Sequence, residues 1–219
     1  MLDFFAGSGT TGHAILNLNA QDKGNRRFIL TQLQKPTGDE RYRTIADITK
    51  ERLHRAGKKI REENPLFAGD LGFRVFKLAS SNIRAWEPDR DKLAETLEAS
   101  IEHLKTDRAG PDIHFELLLK RGIDLCTPIE FRSLTGHTVH SIGAGTLLAC
   151  LSPAISQAEV EPLALGIAAW HKELAPTKED QKARGTVCIF RDSAFADDVA
   201  KTNLTAILQQ HGLETVRSL

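Results

Sequence analysis

A chain of 219 residues with 41% hydrophobic and 26% charged residues has the composition of an ordinary globular protein, which excludes a disordered or fibrous one. At roughly 100–200 residues per domain it holds one large domain or two small ones. Lys plus Arg equals Asp plus Glu at 29 each, so the overall basic charge that announces a nucleic-acid binder is missing and any such binding rests on local patches. Cys126, Cys150 and Cys188 are widely spaced and form no CxxC pair. That argues against a disulfide framework and a structural zinc site, and fits a reducing cytoplasm. No run approaches the ~18 apolar residues of a membrane span, so a soluble protein is expected.

In chain order, residues 2–6 read as a short buried strand, Gly7-Ser8-Gly9-Thr10-Thr11-Gly12 as a tight loop, and His13 to about Ala20 as a helix. Arg27 to Leu33 supplies a second β-rich run, so the opening segment reads as a parallel βαβ unit. Such an apolar first strand normally sits inside a sheet with something before it, and the expectation is that the chain starts in the middle of a larger fold. Arg43 to about Glu63 is a strong helix pattern with Ile45, Ile48, Leu53, Ala56 and Ile60 on one face, stopped by Asn64-Pro65. Phe73, Val75 and Leu78 suggest a half-exposed strand, and Arg90 to about Thr106 an amphipathic helix. Asp107 to Pro111 reads as a linker. Beyond it come a helix over 115–120, a hairpin-like pair over 138–151, a helix over 160–170, a buried strand over 185–191 and a last helix over 201–211 closed by Gly212. The fold class is therefore α/β. The division reads as residues 1–65 for the first domain, 66–110 for a connecting strand and helix, and 111–219 for a small α/β module.

The chemistry concentrates in Asp3-Phe4-Phe5-Ala6-Gly7-Ser8-Gly9-Thr10-Thr11-Gly12. Glycines at a strand-to-helix corner take positive φ and let a ligand lie against the backbone, while the helix start offers unpaired amides. That suits a nucleotide-like cofactor, although a purely structural turn has the same spacing. No GK[ST] follows, so a triphosphate-binding loop is disfavoured. The glycines match GxGxxG, but the second strand ends at Gln32 where a dinucleotide site needs a carboxylate.

Phe5-Ala6-Gly7-Ser8-Gly9 resembles the FxGxG motif of amino-methylating DNA methyltransferases. Tyr42 to Ile48, Leu71 to Leu78, Ser80-Ser81-Asn82, Thr127-Pro128-Ile129-Glu130 and Lys201-Thr202-Asn203 are similar to the C-terminal portion of type III restriction-modification methyltransferase (Mod) subunits. The resemblance implies a partial Rossmann-like methyltransferase fold whose loop binds S-adenosyl-L-methionine. It implies cofactor-binding roles for Asp3, Phe5, Ala6, Gly7, Ser8, Gly9, Thr10, Thr11 and Gln32. Asp3 would bond the cofactor's amino group, or else cap the nearby loop. Gln32 stands where many relatives keep an acid for the ribose, and its amide would bond hydroxyls without charge assistance. The DPPY-type tetrapeptide that holds the target amine and stacks on the flipped base in such enzymes is missing from the chain. The resemblance thus implies a fragment with half of a cofactor site, no catalytic residue and no methylation on its own. DNA would be bound through the full-length protein. A restriction subunit and a second Mod copy are the implied protein partners, with residues 112–219 as an alternative, cofactor-independent docking module. A decayed gene product with neither activity is a third reading.

Elsewhere the cations of the basic helix (Arg41, Arg43, Lys50, Arg52, Arg55, Lys58, Lys59 and Arg61) could meet DNA phosphates, but interleaved Asp47, Glu51, Glu62 and Glu63 make a solvated, ion-paired face the stronger reading. His137 and His140 are three apart on an extended segment and point to opposite faces, so no metal is assigned. Cys150 reads as a buried apolar cysteine, and Trp86 and Trp170 as packing anchors.

Overall fold

The computed structural model describes residues 1–84, 90–93, 102, 104–174 and 185–219; the expected helix over 90–106 falls largely outside them, as does Trp86. The chain divides into two compact units, Met1–Phe76 and Lys77–Leu219.

In the first unit, strand β1 (Leu2–Asp3), helix α1 (Thr10–Asp22) and strand β2 (Ile29–Leu30) form the expected βαβ unit, with parallel register Leu2↔Ile29 and Asp3↔Leu30. The first strand is shorter than expected. At its end the Phe5 amide turns to the Asp3 carboxylate (3.0 Å) instead of continuing the ladder, and helix α1 starts at Thr10, inside what reads as loop. Helix α2 (Ile45–Glu63) begins where Thr44 and Asp47 form a capping box: the Asp47 amide donates to Thr44 Oγ1 (3.2 Å) and the Thr44 amide to Asp47 Oδ2 (2.9 Å). Leu16 of α1 packs with Leu53, Ala56 and Ile60 of α2, and Phe28, Leu30 and Phe73 close this core. Each fully buried Leu or Ile there contributes about 1.5–3 kcal/mol. The strand expected around Phe73–Leu78 is not formed. Phe73 packs on the core, but among the described residues no strand pairs with the segment, and Val75 and Leu78 are 60% and 98% exposed. Side-chain alternation alone does not make a strand without a hydrogen-bonding partner.

The second unit is a five-stranded sheet in the order β3 (Ile129–Leu134), β4 (His137–Ile142), β5 (Leu147–Cys150), β6 (Val187–Phe190), β7 (Thr215–Ser218). The first two pairings are antiparallel and the last two parallel. Helix α3 (Gly110–Arg121) lies on one face, where Leu117 and Leu118 meet Ile142, Leu147 and Ile189. Helices α4 (Gln157–Leu174) and α5 (Asp198–Gln210) cover the other, where Leu163, Ile167, Trp170, Leu204 and Leu208 meet Val139, Leu148 and Phe190. Fold class is thus α/β in both units. The expected linker is corrected at its end, since Gly110-Pro111 open α3 with proline in the first turn, where no amide donor is needed. The expected helix over 90–106 is corrected at its described end: Leu104 bridges Ile83 antiparallel, and the Lys105 amide bonds the Asn82 carbonyl (2.9 Å). Strands β3 and β7 were not legible. The signal for β3 was Thr135-Gly136, whose φ values of 49° and 86° make the two-residue turn that matches strand twist.

Candidate functional site

The corner between β1 and α1 gathers most of the residues singled out in the sequence. The Ala6 amide continues the β1–β2 pairing by bonding the Thr31 carbonyl (3.2 Å), and the Gly9 amide closes a turn onto the Ala6 carbonyl (2.8 Å). Gly7 is held from both sides: its amide donates to Gln32 Oε1 (2.8 Å), and its carbonyl accepts from Thr49 Oγ1 (2.7 Å). Asp3 spans the loop, its Oδ1 accepting from the Phe5 amide (3.0 Å) and its Oδ2 from Thr11 Oγ1 (2.6 Å).

The three glycines are required for different reasons. Gly12 is needed for packing, because a Cβ there would stand 2.8 Å from Leu53 Cδ2 and 2.9 Å from Leu30 Cδ1. Gly9 is needed twice over, with φ at 81° and a Cβ position 2.8 Å from Thr49 Cγ2. Gly7 has φ at 55°, yet a Cβ there would meet nothing closer than the Phe5 carbonyl at 3.8 Å. Space is therefore open over Gly7, while Gly9 and Gly12 are filled from within.

Helix α1 has Gly9 as its N-cap and no side-chain cap, so its first-turn amides keep the donor capacity and partial positive charge of a helix start. Phe5 is 89% exposed beside this corner, whereas Ala6 is buried and Ser8 half-buried. Thr10 and Thr11 line an open groove of about 760 Å³ with Met1, Ala14, Leu18 and Arg27. Gln32 uses both ends of its amide inside the protein, with Nε2 donating to the Leu33 carbonyl (3.1 Å), and so positions the loop. Thr49 escaped the sequence reading. Its signal was a hydroxyl on the apolar stripe of α2, four residues from Ile45 and from Leu53.

The remaining candidates separate. Val139 faces Cys150 and His140 faces Ala149 across β4–β5, so Cys150 and His140 lie on opposite sheet faces. His137 points to the α4 side, with Nδ1 3.0 Å from Ser152 Oγ and Nε2 3.5 Å from Glu159 Oε2. His140 stacks instead on His114 of α3, ring centroids 4.0 Å apart. Cys150 and Cys188 are buried, and burial pushes the Cys188 thiol up to about 12. Trp170 is buried with the Arg132 guanidinium 4.9 Å over its ring, a packing anchor as expected. On α2, Lys50, Arg55, Lys58 and Lys59 meet Asp47, Glu51, Glu62 and Glu63 at 2.6, 2.6, 3.7 and 3.6 Å, which favours the solvated, ion-paired face. Among the described residues no three His, Cys, Asp or Glu side chains are grouped to hold a metal ion, and no helix is long and apolar enough to cross a membrane.

A parallel βαβ unit with this glycine corner is the opening of a Rossmann-like fold, and the relatives of the chain are methyltransferases: over 60 residues (25% of this chain, 14% of the relative) it is 45% identical to the type II methyltransferase M.KpnI of Klebsiella pneumoniae. More of it aligns with one branch of that class. It is 39% identical over 152 residues to the Mod subunit of the type III restriction-modification enzyme EcoP15I of Escherichia coli, covering 64% of this chain and 21% of the relative. It is 43% identical over 86 residues to the Mod subunit of StyLTI of Salmonella typhimurium, covering 36% and 13%. The chain is thus related to the type III restriction-modification Mod subunits, as its motifs indicate, and spans about a fifth of the length of the EcoP15I relative. No family model matches the chain.

Proposed function

We propose that this chain is the part of a type III Mod-type DNA adenine-N6 methyltransferase that carries the S-adenosylmethionine loop. The observation that carries the reading is Gly7, pinned by Gln32 and Thr49 with its outer face open next to the uncapped start of α1. These residues fit the cofactor: glycine backbone admits close approach, α1 amides offer donors, and exposed Phe5 offers a ring face. Asp3 and Thr11 hold the corner rigid. Bound S-adenosylmethionine supplies the sulfonium methyl group that the exocyclic amine of adenine takes up directly. What these residues contribute is alignment, since holding donor and acceptor in one geometry is worth about 7–11 kcal/mol in well-oriented systems. The groups that hold the amine are not among the residues of this chain, so the chain by itself transfers no methyl group. Two buried cysteines and the methyltransferase relatives support a cytoplasmic setting.

The test is calorimetric titration of the 219-residue chain with S-adenosylmethionine, with Gly7→Asp as control. Saturable binding that the variant loses is expected; a folded wild-type chain that takes up no cofactor sinks the reading. In that event the second reading, a docking module for a restriction subunit or a second Mod copy, gains weight. It is supported by the second unit's own two cores on either side of one sheet, with Phe131 71% exposed on the terminal strand β3. Co-purification with a restriction subunit in the absence of cofactor would bear it out.

A further inference from the structure

In the second unit, two cations converge on a neutral oxygen. Lys105 Nζ and Arg108 Nη2 each donate to Ser80 Oγ at 3.1 Å. The arrangement is built into the fold. The Lys105 amide bonds the Asn82 carbonyl (2.9 Å), Leu104 bridges Ile83, the Asn82 amide donates to Glu116 Oε2 (2.6 Å), and Asn82 Nδ2 donates to the Asp112 carbonyl (3.0 Å). The Ser80 loop is thereby fixed both to the 104–108 segment and to α3.

The charge on this cluster is poorly matched. Three other cations of the unit have a carboxylate at close range: Lys120 meets Glu116 (2.9 Å), Lys201 meets Asp192, and Arg191 meets Glu102. Lys105 has no carboxylate within ion-pair distance among the described residues. Among the described residues Arg108 has only Asp107, whose Oδ1 is 3.6 Å from Nε and whose side chain is 72% exposed. The Arg108 side chain is 23% exposed, and its Nε is buried without a hydrogen-bond partner. Ser80 Oγ has both lone pairs directed to cations, so its own proton is left to donate outward. Two cationic donors and one hydroxyl donor around a single exposed point form a receptor for a tetrahedral anion with several acceptor oxygens.

We propose that Ser80, Lys105 and Arg108 bind one phosphate of a DNA backbone. The choice of DNA rests on the methyltransferase reading above; the anion chemistry does not. A half-buried pair of cations beside the exposed Ser80 suits a positioning contact, which fixes orientation on the duplex without reading bases.

The test measures affinity of the full chain for a fluorescent DNA duplex across a salt series, for wild type, Lys105→Gln, Arg108→Gln and Ser80→Asp. Contact with one phosphate contributes about 0.9 to the slope of log K against log salt, so each neutralising variant is expected to flatten the slope by part of that amount. Ser80→Asp supplies an internal carboxylate to both cations, so it is expected to remove the whole contact, a flattening of about 0.9, while keeping the fold at least as stable. Circular dichroism checks that each variant is folded. Unchanged slopes in folded variants overturn the proposal, as does a wild-type chain with no measurable affinity for the duplex. Inorganic phosphate, titrated alone and as competitor, separates the sources: binding of phosphate that the variants abolish without any change in DNA slope would mean a small-anion site and overturn the DNA assignment. S-adenosylmethionine titration of the same variants stays independent, so retained cofactor binding with unchanged slopes counts against the phosphate site alone.

Discussion

Gly7 and Gly9 are two residues apart in one loop, yet the structure gives them opposite reasons for being glycine. Alanine at Gly9 would stand 2.8 Å from Thr49 Cγ2 in a left-handed conformation, and the combined strain is expected to cost the first unit about 2–3 kcal/mol. Alanine at Gly7 would meet only the Phe5 carbonyl at 3.8 Å, so its cost is the left-handed backbone alone, about 1 kcal/mol. If a cofactor lies against Gly7, Gly7→Ala will weaken its binding by about tenfold or more, or about 1.4 kcal/mol, while lowering the urea midpoint by less than half as much as Gly9→Ala does. Urea unfolding followed by far-UV circular dichroism, beside calorimetric titration, separates these outcomes. Equal affinity in Gly7→Ala and wild type would place the cofactor elsewhere.

At the scale of elements, the contact between α3 and β4 carries a buried pair of histidines. His114 is 4% exposed with Nε2 unpartnered, and its ring stacks on that of His140, whose Nδ1 is also buried without a partner. Burial, reinforced by the charge of His140 when protonated, lowers His114 to about 4 from 6.5; burial also lowers His140. Because the folded pKa lies below the unfolded one, the unfolded chain takes up the proton first as pH falls. The neutral pair therefore supports the fold fully above pH 6.5, and that support is lost progressively between 6.5 and about 4. The loss is roughly 3 kcal/mol at its limit. Below 4.5 a second group adds to it: burial alone would raise Glu116, but bonds from Ser81, Lys120 and the Asn82 amide outweigh burial and hold it at about 2. Thermal melts of the second unit at pH 7 and pH 5 should show the drop, and His114→Leu should remove most of it. A variant as acid-sensitive as wild type would assign the effect to other groups.

For the whole molecule, the β1–β2 sheet sets the main physical liability. Leu30 faces the core under α1 and α2, so its neighbours Leu2 and Ile29, paired with each other, face the other way and are 49% and 65% exposed. Phe4 and Phe5 extend this apolar surface at 65% and 89% exposure. A two-stranded sheet whose apolar face is exposed and whose edges are unpaired among the described residues invites association with another chain. Sedimentation velocity is expected to show concentration-dependent self-association, reduced in a Leu2→Thr, Ile29→Thr double variant. A single monomeric boundary at high concentration would contradict this.

The βαβ opening, the extent of α2 and the alternation of helix and strand after residue 110 were legible because they depend on local order: glycines at a corner, Thr44 and Asp47 at a helix start, apolar residues at a helical period. So was the loop itself, since only a short list of residue types permits its backbone. The tertiary structure decided which of those residues face inward. Gln32 and Asp3 also bond the loop itself, which spacing did not reveal, because Gly7 and Thr11 arrive beside them only when β1, β2 and α1 pack. Thr49 acts on Gly7 from 42 residues away, a distance no periodicity spans. The Phe73–Leu78 pattern failed as a strand for the same reason, since a ladder needs a neighbour that the pattern does not name. Ser80 gained its two cations because the chain returns through Leu104 to lie against it, and long-range return of this kind is what sequence spacing leaves unspecified.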